Sequence, residues 1–235
     1  MSPYPPYPLF TFVGFAIHAI VFLAIAIRFL RRWDSTAFIY LGCAALIDAL
    51  NFVLVLVLFF AFPNTLIKAN VFLFNALMIK PLVSIFAIMS LIALNEKFAK
   101  FVWAFFGLAM IVVLFSYVQT FARFQDQPIE FAYVHPVYPI IVTPSESSGS
   151  IGGFFFSAFF FYHAFSGNLF IRRRAIVLGI AMAFLGISSL YWVSRGPLLY
   201  ISMHIIGPMG SLILAAGVFL FRSRNTSAPE AQVLL

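Results

Sequence analysis

Residues 36–62, TAFIYLGCAALIDALNFVLVLVLFFAF, carry a single charged side chain, Asp48, in an otherwise apolar run. A helix that crosses a bilayer needs about 20 mostly apolar residues, so this stretch suffices by itself. It lacks the alternating short strands of a membrane barrel. A helix, which pairs its own backbone groups, is the spanning form it predicts.

Six further windows resemble it. Together they place spans near Leu9–Leu30, Thr36–Phe62, Thr65–Leu94, Phe101–Phe121, Ile151–Ile171, Ala175–Val193 and Pro197–Phe221. The fold class expected is all-α, a polytopic integral membrane protein built as a seven-transmembrane-helix bundle over residues 1–221, with a short tail, 222–235. Composition agrees: 63% of residues are hydrophobic and 9% charged, against about 25% charged in a soluble domain. One cysteine, Cys43, supports neither a disulfide framework nor a thiolate metal site.

The net charge of +7 comes from basic residues scattered between apolar runs, with no face that tracks phosphates, so no nucleic-acid partner is expected. Their distribution reads as topology. Arg28, Arg31, Arg32, Lys97, Lys100, Arg172, Arg173, Arg174, Arg222 and Arg224 fall on one side of the predicted bundle; Lys68, Arg123 and Arg195 fall on the other. The positive-inside rule puts the N-terminus outside and the C-terminus in the cytoplasm. The first span carries no cleavage signal and is expected to stay, and the tail is too short for an output domain. Residues 122–150 form the one long connection, an outer loop in which SESSGS (145–150) reads as a flexible link into the next span.

Two short patterns hint at duplication. F-x-x-H-A occurs at Phe15–Ala19 and Phe160–Ala164, and L-G-x-A at Leu41–Ala44 and Leu178–Ala181, while Pro81 and Pro208 interrupt the third and seventh windows. These matches suggest a 3+1+3 plan: parallel repeat units 9–94 and 151–221 joined by a linker helix, 101–121.

Charges at membrane depth cost about 2.5 to 3.5 kcal/mol on insertion scales, so they mark candidate sites. Asp48 and Lys80 are predicted at similar heights on neighbouring antiparallel helices and are expected to pair. Asn51 shares the Asp48 face, and Ser84 follows Lys80 by one turn. Pro81 and Pro208 each free a backbone carbonyl four residues earlier, Leu77 and His204 respectively. His18 and His163 are expected at nearly equal depths, which makes a two-histidine haem b the low-ranked cofactor alternative. No other cofactor or metal is predicted. His204, Arg195, Tyr191 and Gln119 form a weaker cluster, an expected outer vestibule. Gly207, Ser211 and Ala215 form a small-residue stripe suited to close packing.

No phosphate-binding loop, zinc-protease or nucleophile-elbow motif is present, so an enzyme is disfavoured. Asp48, Asn51, Lys80, Ser84, His18 and His163 are therefore expected to line a midplane site for a small molecule, ion or proton in a transporter or permease. The alternatives are a seven-helix sensor acting through a membrane or cytoplasmic protein partner, and a structural or haem-bearing subunit of a larger complex. The lipid bilayer is a partner in each case.

Overall fold

The computed structural model describes residues 8–32, 35–61, 79–94, 142–166, 169–189 and 197–221. Among these the regular structure is helical: α1 (Pro8–Leu30), α2 (Thr36–Ala61), α3 (Lys80–Leu94), α4 (Val142–Ser166), α5 (Leu169–Ser188) and α6 (Pro197–Phe219). Three segments, Pro8–Leu30, Thr36–Val57 and Ile201–Phe219, are long and apolar enough to cross a membrane. The predicted span 101–121 and most of the outer loop lie outside the described residues, as does the first half of the span predicted at 65–94.

The first two spans and the last match their expected limits closely, because each is an unbroken apolar run. The middle of the chain differs. Residues 145–150 are helical rather than a link, and α4 starts at Val142. Pro144 stands in the first turn, where proline is tolerated, so a helix start here is compatible with the local sequence although hydropathy misses it. Arg172, Arg173 and Arg174 were expected in a connection and instead lie inside α5. Arginine is a good helix former, while the turn-forming pair Gly167-Asn168 falls between Ser166 and Leu169, where α4 ends and α5 begins.

Packing follows chain order around a ring. α1 packs against α2 and α6, α2 against α3, α5 against α4 and α6, and α3 meets α4 lightly. The surface is largely apolar, and in the interior small and polar residues join larger apolar ones such as Phe15, Ile25, Phe29 and Leu178. Leu9, Ile20, Leu50, Leu198 and Leu212 are exposed, whereas Ala26, Ala49, Ala175 and Ala181 are buried together with Thr11, His18, Asn51, Ser90, Ser157 and Ser211. Such a surface would be a large apolar patch in water. In lipid it is the expected one, since helix association there depends on close packing and interhelical hydrogen bonds.

Glycine sets the closest approaches. A β-carbon on Gly153 of α4 would stand 2.6 Å from Gly186 Cα of α5, so the two backbones meet without intervening side chains. The Ser157 hydroxyl then donates to the Gly179 carbonyl at 2.8 Å, joining α4 to α5 a turn further on. Between α1 and α6, a β-carbon on Gly14 would lie 3.3 Å from the His204 carbonyl oxygen and 3.4 Å from Pro208 Cγ. That carbonyl is the one Pro208 releases from the helical ladder, and α1 covers it with a residue that has no side chain.

Candidate binding site

α1, α2 and α6 bring a histidine, an asparagine and a serine into the bundle interior. His18 stands near the middle of α1, and its Nδ1 lies 2.6 Å from the Ser211 hydroxyl of α6. Either group can donate, according to the imidazole tautomer. The ring stacks on Phe52 of α2, with centroids 4.6 Å apart and planes 11° from parallel. On the other side a β-carbon on Gly207 would come within 2.9 Å of His18 Nε2 and 3.0 Å of Ser188 Oγ. Gly207 therefore makes the space the imidazole fills, and it brings Ser188 of α5 to the border of the same space. The Ser188 hydroxyl donates to the Leu185 carbonyl at 2.9 Å.

Ser211 is fully buried. Its four-residue spacing from Gly207 predicts a packing stripe, and the structure gives one of its members a polar role. Sequence periodicity places Ser211 and Gly207 on one face; it does not say that His18 is the side chain opposite them.

Asn51 precedes Phe52 on α2 and is 3% exposed, yet its Oδ1 has no hydrogen-bond partner among the described residues. A buried amide oxygen left unpaired costs about 1–3 kcal/mol. One turn later, Val55 packs with Phe15 of α1, and Phe15 in turn meets the His204 ring at a centroid distance of 5.8 Å. His204 is buried. Its ring thus packs against Phe15 at the α1–α6 contact. Arg195, Tyr191 and Gln119, its expected companions, lie outside the described residues.

Asp48 is half-buried one turn before Asn51 on α2. The side chains of Lys80 and Ser84 lie outside the described set, so the expected ion pair is neither made nor broken here. His163 is in the last turn of α4, packed edge-on against Phe159 at 4.5 Å and Tyr162 at 5.5 Å. His18 is mid-helix, so the two histidines do not share the depth expected of them. The cause is the shift of α4: it begins nine residues earlier than the apolar window and ends five earlier. The two F-x-x-H-A segments accordingly stand at different heights, and α1 and α4 do not form one of the principal packed pairs.

The arrangement offers an imidazole held by a hydroxyl, aromatic walls and an amide oxygen that accepts nothing from the described residues. It can receive a donor: a hydroxyl, an ammonium group, a water or a transferable proton. Among the described residues no group of three or more His, Cys, Asp or Glu side chains is arranged to hold a metal ion. No protein-family model matches the chain, and neither curated proteins nor solved structures supply a match.

Proposed function

We propose that the chain is a small transporter or permease whose centre, between α1, α2 and α6, binds a small polar molecule, an ion or a proton. The observation that carries this reading is the buried Oδ1 of Asn51, which has no partner among the described residues, one turn from Asp48 and next in sequence to Phe52, the residue on which His18 stacks. Polar groups at membrane depth are costly and mark sites and pathways. An acceptor left open there is complementary to a donor arriving from elsewhere.

The helix order supports a division into two three-helix units, α1–α3 and α4–α6. Each has its second helix packed against its first and third, and α1 against α6 is the main contact between units. The His18–Ser211 bond crosses that contact. Transporters built from repeats place their sites at such an interface and work by rocking one unit against the other. A seven-helix bundle, with residues 101–121 as linker, N-terminus outside and C-terminus cytoplasmic, completes the proposal. Lys80 enters through the contact of Tyr40 with Phe86. If α2 and α3 are antiparallel, two turns up α2 from Tyr40 and less than two turns back along α3 from Phe86 bring Asp48 and Lys80 to a common height.

Proteoliposomes containing the full chain test this. Proton flux under an imposed pH gradient, and uptake of a panel of small polar solutes, are expected in the wild type and lost in Asn51→Leu and Asp48→Asn. Wild-type liposomes that move nothing on the panel, or variants that move as much as wild type, reject the assignment.

A further inference from the structure

Arginines converge at one end of the bundle. α1 contributes Arg28 in its last turn, with Arg31 and Arg32 just beyond, and α5 contributes Arg172, Arg173 and Arg174 ahead of its apolar stretch. Arg31, Arg172 and Arg173 are exposed, but Arg174 is 4% exposed. Its Nε–H donates to the Gly217 carbonyl of α6 at 3.1 Å, which fixes the guanidinium against the end of that helix. The Arg28 guanidinium lies over the Phe219 ring at 5.0 Å and that of Arg32 over the Phe38 ring at 5.2 Å. Both are held by aromatic faces.

These charges are close enough to repel. Burial first, then Arg28 and Arg32, push the Arg174 pKa down to about 10, which still leaves it charged at neutral pH. Across 28–38 and 169–178 the sequence contains six arginines and one carboxylate, Asp34. Topology alone asks that arginines stay on one side of the membrane. It does not ask that one be buried under two others, since a charge taken out of water is costly unless something opposite meets it. Inward of these arginines along α1 and α6, Leu23, Ile27 and Leu212 are exposed apolar side chains, at 44%, 46% and 52%. A ligand that matches both features has an anionic head and hydrocarbon chains.

We propose that Arg28, Arg32 and Arg174 seat the phosphate of an anionic phospholipid between the ends of α1, α5 and α6, with its acyl chains running from there toward the bundle middle past exposed side chains such as Ile27 and Leu212. Guanidinium groups suit a phosphate because their planar N–H forks bind its oxygens in pairs. The site is independent of the central one and does not rest on transport.

The full chain in a neutral detergent, titrated with phosphatidylglycerol, phosphatidylcholine or inorganic phosphate, tests it by thermal midpoint and by lipid retention in native mass spectrometry. Phosphatidylglycerol is expected to raise the midpoint by several degrees and to remain bound as a single copy; phosphatidylcholine and inorganic phosphate are expected to do neither. Arg174→Gln is expected to abolish retention. Arg28→Gln, which leaves the Arg174–Gly217 bond in place and guards against a misfolded first variant, is expected to weaken retention about fivefold, the factor for one arginine's attraction to an anionic headgroup. Equal effects of phosphatidylcholine, a shift reproduced by inorganic phosphate alone, or unchanged retention in Arg28→Gln overturns the lipid site.

Discussion

The contacts of α4 with α5 and of α1 with α6 use the same residue for different ends. At Gly153 and Gly186 the absent side chains let two backbones touch. At Gly207 the absent side chain is replaced by an imidazole from the opposite helix, and the gap becomes the seat of His18. In a membrane, where lipid is as apolar as leucine, small residues supply close packing; the comparison shows that they also make room for polar groups to meet across an interface.

Gly153→Val breaks the first contact most severely. Its β-carbon has backbone at 2.6 Å on the other side and nowhere to move, so the loss should exceed the ~1–3 kcal/mol of ordinary overpacking and appear as loss of a monodisperse folded peak in size-exclusion chromatography. Ser211→Ala should cost less. It leaves a buried imidazole nitrogen unpaired, about 1–3 kcal/mol, read as a lowered thermal midpoint. Ser157→Ala removes a hydroxyl from the Gly179 carbonyl and is expected to cost about 0.5–1.5 kcal/mol by the same measurement, leaving any transport intact. A Ser157 effect as large as that of Ser211 would erase the distinction between the two interfaces. Asn51→Leu should have the smallest effect on stability, neutral or slightly favourable, since the amide oxygen it removes has no partner among the described residues, while solute or proton movement is lost. A marked fall in midpoint would show that Asn51 serves packing instead.

Much of this architecture was legible in the residues. α1, α2 and α6 follow from long apolar runs, and His18 and Asn51 stand out as polar groups that lipid would not tolerate. The limits of α4 and α5 were not legible from hydropathy. Serines and arginines lower the apolar average, and neither bars a helix as proline does, so the helical stretches 145–150 and Arg172–Arg174 escaped it. The same error put His163 at the depth of His18. Ser211 was visible as one of a stripe of small residues, but its partner is 193 positions away, and periodicity along one helix carries no information about which helix lies opposite.

A joint made of bare backbone has no rotamers to exchange. At Gly153 and Gly186, where α4 and α5 touch backbone to backbone, neither helix can slide past the other by a side chain changing its conformation; only movement of the helices themselves can open that seam.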